Sequence, residues 1–159
     1  MDKKLIDISV KLMSYHAPAM LDLEMQKKHC SAIVLKGNVI AVGFNRYKTS
    51  QIALEFGYMY GEYHAELDAL IQVHGDIVNY KKEDLSLINF RLNRFSDVGI
   101  SRPCKKCMRW AKNVFGTFVY TDIDGGISLE DVDSGSSQKV LSSVDLRSSL
   151  GWKCEALRA

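Results

Sequence analysis

The sequence lacks a strong excess of charge and any long hydrophobic run. Its 159 residues carry a formal net charge of +2, which gives no electrostatic case for a dedicated nucleic-acid or membrane binder. No apolar run approaches the roughly 20 residues that a membrane-spanning helix needs. The charged start at Asp2, Lys3 and Lys4 leads into an amphipathic stretch and not into a secretion signal. We therefore expect a cytoplasmic protein with no membrane partner.

Cysteine is scarce, and the sequence shows no internal repeat. The four cysteines are Cys30, Cys104, Cys107 and Cys154. Without a secretion signal, a Cys-x-x-Cys spacing favours metal or redox chemistry in a reducing compartment over disulfide pairing. The hydrophobic fraction of 47% and the charged fraction of 25% are ordinary for a soluble globular protein. The length fits one domain with a sizeable core.

The hydrophobic pattern alternates between helical and strand periods, which predicts an α/β layered domain. Pro18 is expected to end the first helix, Gly37 and Asn38 are expected to form a two-residue hairpin turn, and Pro103 suits the first turn of a helix. The predicted elements are a helix over 4–14, strands over 31–36 and 39–44, a helix over 64–73, a strand over 85–92, a helix from 103 to about 116, and strands over 117–121 and 127–132.

The composition changes after residue 132. Serine and aspartate dominate residues 133–149, and no clear helical period is visible there. We therefore predict a main domain over residues 1–132, followed by a loosely ordered tail or a short docked helix over residues 133–159.

Two short motifs supply the side chains of a catalytic metal site. His64-Ala65-Glu66 provides an imidazole and a carboxylate, and Pro103-Cys104-Lys105-Lys106-Cys107 provides two thiols on one face of a helix. His64 and Glu66 converge only if both lie in the first turn of a helix, so the two helix starts are expected to face each other. Three protein ligands leave tetrahedral zinc a fourth position for water. Glu66, held beside that water, would take its proton and deliver it to a leaving group.

These paired motifs resemble the zinc-dependent cytidine and deoxycytidylate deaminase family, which carries an H-x-E and P-C-x-x-C signature. The resemblance covers residues 1–132 and implies a three-layer α/β/α cytidine-deaminase-like fold with a mixed central sheet of about five strands. It implies that His64, Cys104 and Cys107 bind Zn²⁺ and that Glu66 is the catalytic proton shuttle. The implied reaction is attack on C4 of cytosine, or C6 of adenine, with loss of ammonia. The resemblance also implies a homo-oligomer.

Substrate contacts are expected at the end of the second predicted strand. Gly43-Phe44-Asn45 is similar to the family's strand-end segment, whose asparagine contacts the substrate sugar or base. Arg46 and Lys48 follow directly and are placed for a monophosphate. With Ala65 from the first motif, the predicted substrate-binding residues are Asn45, Ala65, Arg46 and Lys48. The predicted substrate is a free nucleoside or nucleotide containing cytosine.

The nature of that substrate stays open, because two signals conflict. The short Asp124-Gly125-Gly126 link predicts an antiparallel hairpin of the last two strands, as in family members that act on free nucleosides. A histidine as the first ligand, here His64, is instead similar to the deoxycytidylate branch. Ser101-Arg102 stands where many family members have a glutamate before Pro-Cys.

Two alternative functions follow from other features of the sequence. The basic residues around Arg109 could contact single-stranded DNA or RNA, in which case the protein would deaminate bases in nucleic acid. The same residues also suit a solvated helix face, since Lys105, Arg109 and Lys112 lie at helical spacing. A non-catalytic zinc-stabilised interaction module would need a fourth protein ligand, for which His29 and Cys30 are the candidates.

Overall fold

The computed structural model describes residues 2–20, 28–58, 63–92, 98–99, 101–122 and 124–150. Five α-helices and seven β-strands lie in these ranges. The helices are α1 Asp2–Met20, α2 Gln51–Glu55, α3 Ala65–Val73, α4 Lys105–Val114 and α5 Ser143–Leu150. The strands are β1 His29–Leu35, β2 Asn38–Phe44, β3 Leu85–Leu92, β4 Val98–Gly99, β5 Thr117–Thr121, β6 Ile127–Asp131 and β7 Ser137–Leu141.

The strands form one mixed sheet in the order β2-β1-β3-β5-β6-β7, with β4 paired to the end of β3. Strands β3 and β5 run parallel, whereas the other pairs are antiparallel. The predicted α/β fold class with a mixed central sheet is confirmed, but the sheet has seven strands and not about five. The predicted antiparallel hairpin of β5 and β6 is also confirmed.

Two apolar layers cover the two faces of the sheet, because successive side chains of a strand point to opposite faces. On β3, Ile88 and Phe90 pack in one layer with residues of α1 and α5, whereas Leu85 and Leu87 pack in the other. The second layer includes Ala53 of α2 and buried residues of α3 and α4. The arrangement is therefore helices, sheet, helices, and both predicted motifs lie on the side of α3 and α4.

The turn between β1 and β2 lies one residue earlier than predicted. Lys36 and Gly37 adopt positive φ angles of 47° and 81°, as a two-residue hairpin turn of this hand requires. Asn38 already belongs to β2 and pairs with Leu35. The predicted turn at Gly37 and Asn38 was therefore wrong by one residue. The sequence did not indicate this shift, because lysine tolerates a positive φ less well than asparagine does.

Helix α1 continues past Pro18, where it was predicted to have ended, and extends to Met20. Proline removes one backbone hydrogen bond from a helix interior. Here it lies in the last turn of a 19-residue helix, whose preceding turns keep their own bonds. The buried residues Leu5, Met13, Ala17 and Met20 keep α1 on the sheet through this last turn.

The chain after residue 132 contributes to the same sheet. Strand β7 pairs with β6, and Leu146 and Leu150 of α5 are buried in the layer that α1 forms. This strand was not predicted. The boundary between a domain over residues 1–132 and a tail over 133–159 stays a prediction, and Cys154 lies outside the described residues.

A separate observation concerns membranes. Among the helices in the described part of the chain, none combines the length and the apolar character needed to cross a bilayer.

Candidate active site

The candidate metal ligands lie at the starts of two helices. His64 is the N-cap of α3 and Cys104 is the N-cap of α4, both with extended backbone. Cys107 and Glu66 lie in the first turns of α4 and α3 respectively. Because the positive end of a helix dipole is its N-terminus, both helices favour thiolates at this place. The two motifs therefore meet at facing helix starts, as their spacing predicts.

The ligand atoms are close enough to share one metal ion. The His64 Nδ1 atom lies 3.3 Å from Cys104 Sγ and 3.4 Å from Cys107 Sγ, and all three atoms fall within 4.8 Å of one another. Zinc bonds of about 2.0–2.1 Å to nitrogen and about 2.3 Å to sulfur at tetrahedral angles separate two ligand atoms by roughly 3.5 Å. The group His64, Cys104 and Cys107 could therefore hold a metal ion, and its spacing and chemistry fit zinc.

Within the described ranges, no fourth histidine, cysteine, aspartate or glutamate joins this group. Cys30, considered as a fourth ligand from the sequence, is buried in the opposite apolar layer. His29 lies near the site, but its Nε2 atom faces Glu66 at 3.6 Å. The described ligand set is therefore the open, three-residue kind that catalytic zinc sites use.

The pKa values of the two thiols are shifted in opposite directions. A hydrogen bond from Cys107 lowers the pKa of the Cys104 thiol to about 5. The same hydrogen bond, together with burial, raises the pKa of Cys107 above its usual range. The hydrogen bond between the two thiols therefore favours a thiolate at the exposed sulfur, and a bound metal would replace the hydrogen between them.

Glu66 is a buried carboxylate with no hydrogen-bond partner. It is 1% exposed, and both of its carboxylate oxygens lack a partner, as does the facing Nε2 atom of His29. Burial lowers the pKa of His29 although the Glu66 carboxylate opposes this shift, so the imidazole is neutral near pH 7. Buried polar atoms are nearly always satisfied, and three such atoms together indicate a place where a polar ligand binds.

A buried hydrogen-bond network fixes the loop that leads into α4. The Ser101 hydroxyl accepts a hydrogen bond from the Thr121 backbone N–H and donates one to the Asn89 carbonyl oxygen, both at 2.8 Å. The next residue, Arg102, donates two hydrogen bonds to the Glu130 carboxylate of β6, at 3.0 and 3.2 Å. These contacts hold the backbone just before Cys104. The Ser101-Arg102 pair thus anchors this segment of the site.

Asp68 fixes the end of β2 against α3. Its Oδ2 atom accepts hydrogen bonds from the Phe44 backbone N–H at 2.9 Å and from the Arg46 Nε at 3.1 Å. The guanidinium of Arg46, a predicted substrate contact, forms an ion pair with Asp68, and its contact with substrate stays a prediction. Arg46 therefore helps to join β2 to the helix that carries Glu66.

A pocket of about 340 Å³ opens over Glu66 and the ligand group. Of the four predicted substrate-binding residues, Asn45 lines it, whereas Ala65, Arg46 and Lys48 are not among its described lining residues. Ala65 is fully buried and Lys48 is exposed. The described residues that line the pocket are Lys28, His29, Asn45, Tyr47, His64, Glu66, Arg91, Ser101, Arg102 and Cys104.

Several pocket residues were not predicted from the sequence. His29 and Arg91 are partners in the pairing of β1 and β3, and this pairing brings together residues that are 62 positions apart. Tyr47 lines the pocket with 64% of its surface exposed. Its position two residues after Asn45 was a usable signal. Two other tyrosines near His64 in the sequence lie differently, since Tyr58 and Tyr63 are buried in the core.

The basic residues of α4 face solvent. Lys105, Arg109 and Lys112 are exposed, and none of them is among the described residues that line the pocket. This placement agrees with the interpretation of these residues as a solvated helix face.

Comparison with known proteins gives a structural similarity but no sequence match. A crystal structure of cytidine deaminase from Burkholderia pseudomallei aligns with a TM-score of 0.48 and 16% sequence identity, covering 78% of this chain and 93% of that one. No protein-family model and no curated protein matches the sequence. Independently of this similarity, the described residues form an α/β/α fold with a His/Cys/Cys group that could bind a metal ion at the starts of α3 and α4.

Proposed function

We propose that the protein is a zinc-dependent hydrolytic deaminase that converts the cytosine of a free nucleoside or nucleotide to uracil and releases ammonia. The observation that carries this proposal is the Glu66 carboxylate. It is buried and unpartnered, and it lies two residues from His64, one of three ligands placed around a common centre. A structural metal site has no need of such a carboxylate, whereas general acid/base catalysis does.

In this proposal His64, Cys104 and Cys107 hold zinc, and two thiolates balance its charge. Bound zinc supplies Lewis-acid activation of water near neutral pH. The two helix N-termini stabilise the thiolates, and the Ser101 and Arg102 contacts keep Cys104 in place.

Glu66 moves the protons in the proposed reaction. Its carboxylate accepts one proton from the attacking water as the oxygen bonds to C4 of cytosine, and delivers this proton to N3. It then moves the second proton of that water from the C4 hydroxyl to the amino group. The bond between C4 and the amino nitrogen breaks, ammonia leaves, and C4 keeps the oxygen as the carbonyl of uracil. Asn45, which lines the pocket beside Glu66, is placed to orient the substrate. His29 offers a neutral imidazole nitrogen on the same wall.

The pocket favours a substrate that carries an anionic group. Lys28, Arg91 and Arg102 line it, against the single carboxylate of Glu66. Arg102 is neutralised by Glu130, but Arg91 is exposed and lies at the end of β3 beside His29. The volume of about 340 Å³ is at the small end of the range of about 300–1,000 Å³ typical of small-molecule sites. The positive charges of Lys28 and Arg91 support a nucleotide over a nucleoside, whereas the volume supports only a small-molecule substrate.

The test is ammonia release by the zinc-loaded protein from cytidine, deoxycytidine, their monophosphates, the matching adenine compounds and single-stranded oligonucleotides. We expect release from a cytosine mononucleotide. Arg91→Gln should raise KM for the monophosphate more than for the nucleoside, whereas Lys112→Gln on the exposed face of α4 should change neither. Release from oligonucleotides alone, or no release from any compound, would contradict the proposal.

The two alternative functions gain less support. A nucleic-acid deaminase would use the basic residues of α4, which lie outside the pocket as described. A non-catalytic zinc module would use a fourth protein ligand, and the described residues offer three. The cytoplasmic location and the homo-oligomeric state stay predictions.

A further inference from the structure

Tyr58 contacts two of the three candidate ligands. Its hydroxyl oxygen lies 2.6 Å from Cys107 Sγ, and its ring meets the His64 imidazole edge to face, with centroids 5.2 Å apart and planes at 75°. Tyr58 is 4% exposed, so neither contact competes with bulk water. No step of the reaction described above uses this residue.

The direction of the hydrogen bond follows from the charge that Cys107 would carry as a metal ligand. When a metal is bound, Cys107 is a thiolate without a hydrogen to give, so the Tyr58 hydroxyl must donate. Trp110 Nε1 lies 3.4 Å from the Tyr58 hydroxyl oxygen, and an indole nitrogen can only donate. The Tyr58 oxygen can therefore accept from Trp110 while its own hydrogen is directed to Cys107.

The two thiolates differ in what can stabilise them. Cys104 is exposed, and water can solvate its charge, whereas Cys107 has no exposed surface. A buried charge needs a hydrogen-bond donor inside the protein. Donors to metal ligands fix the ligand's orientation and tune the metal, and their loss typically lowers metal affinity about 10–100-fold.

We propose that Tyr58, oriented by Trp110, is a positioning residue of the metal centre that donates a hydrogen bond to the Cys107 thiolate and packs against His64. This inference rests on the proposed metal site. Two hydrogen bonds link these residues: Trp110 on α4 donates to Tyr58, which follows α2, and Tyr58 donates to Cys107, also on α4. They therefore tie the segment before His64 to the helix that carries both cysteines.

The test is Tyr58→Phe in the full chain, which keeps the ring beside His64 and removes only the hydroxyl. Co²⁺ is bound in place of zinc, and the sulfur-to-cobalt charge-transfer band is recorded. Because a hydrogen bond lowers the energy of the sulfur lone pair, its loss should move the band to longer wavelength. The dissociation constant for Zn²⁺, measured against a chromophoric chelator at pH 7, should rise about 10-fold.

Two further variants complete the test. Tyr80→Phe removes a hydroxyl from a partly buried tyrosine of the same apolar layer and should leave the band and the affinity unchanged. Trp110→Phe removes the orienting N–H and should shift the band in the same direction by a smaller amount. If Tyr58→Phe does not fold, the band of Trp110→Phe tests the role of Tyr58 in its place. An unchanged band and an unchanged affinity would overturn the role of Tyr58. Failure of the wild-type protein to bind Co²⁺ would instead overturn the metal site itself.

Discussion

Cys104 and Cys30 differ in exposure, and this difference allows the effect of metal binding on stability to be distinguished from the effect of core packing. Cys104 is exposed at the start of α4, whereas Cys30 is buried in β1 within the layer covered by α1. Removing the exposed thiol leaves no cavity, so it should cost the metal-free protein little. Removing the buried thiol should leave a small cavity and lower the stability.

Cys104→Ala is therefore expected to abolish zinc-dependent stabilisation. A ligand present at 100 times its dissociation constant raises the free energy of unfolding by about 2.7 kcal/mol. Thermal unfolding with and without zinc measures this gain. The wild type and Cys30→Ala should both gain stability with zinc, although Cys30→Ala starts from a lower Tm, and Cys104→Ala should gain none. An equal gain in Cys104→Ala would remove this cysteine from the site.

The grouping of the candidate ligands was predictable from the sequence because the spacing within each motif fixes its geometry. His64 and Glu66 lie in one helix turn, and so do Cys104 and Cys107. Arg46 was not predictable in this way. Its guanidinium could serve substrate or protein equally well, and its partner Asp68 lies 22 residues further along the chain. Only the packing of α3 on β2 shows that the carboxylate is within reach.

The contact between β2 and α3 positions the candidate base Glu66. Gly43 allows it: a Cβ atom there would lie 2.6 Å from the Ala65 carbonyl oxygen and still closer to the Ala69 backbone nitrogen. Both atoms belong to the backbone of α3 and cannot rotate away. A side chain at position 43 therefore pushes α3, and Glu66 with it, off the sheet.

Gly43→Ala should destabilise the protein by about 1–3 kcal/mol or more, as overpacking does, and should also reduce activity. Gly75→Ala is the matched control, because nothing lies within 4 Å of a Cβ atom at that glycine. Urea unfolding and ammonia release of both variants measure the two effects. If Gly43→Ala behaved like Gly75→Ala, the close approach of β2 to α3 would not be required.

The elements with strong hydrophobic patterns were predicted correctly, and the weakly patterned ones were missed. Strand β3 alternates apolar residues and is almost entirely buried. Strand β7 has the sequence Ser-Gln-Lys-Val-Leu and is mostly exposed, because it is an edge strand with little apolar surface to bury. Strand β4 has two residues, too few for any period. Such strands form because a neighbour offers free backbone groups, which a local pattern does not reveal.

For the whole molecule, the sheet separates the candidate site from the layer of α1 and α5. Leu146 of α5 is fully buried in that layer, while Glu66, His64 and Cys107 lie on the opposite side. Leu146→Ala should cost about 2–5 kcal/mol of stability through the lost contacts and the cavity. The zinc affinity should stay unchanged as long as the protein is folded.

The control for Leu146→Ala is Val144→Ala on the same helix, where the side chain is 71% exposed. Chemical denaturation should show a large loss for Leu146→Ala and almost none for Val144→Ala. A loss of zinc binding in folded Leu146→Ala would contradict the separation of the two layers.

The most direct test of the proposed function is Glu66→Gln, in which zinc content and ammonia release are measured on the same sample. Glu66 is not one of the three candidate ligands, so the variant should bind one zinc ion per chain, as we expect for the wild type. Because glutamine cannot accept or deliver the proton, ammonia release from a cytosine mononucleotide should fall at least about 10²–10⁴-fold. Ammonia release at the wild-type rate with zinc fully bound would contradict the account.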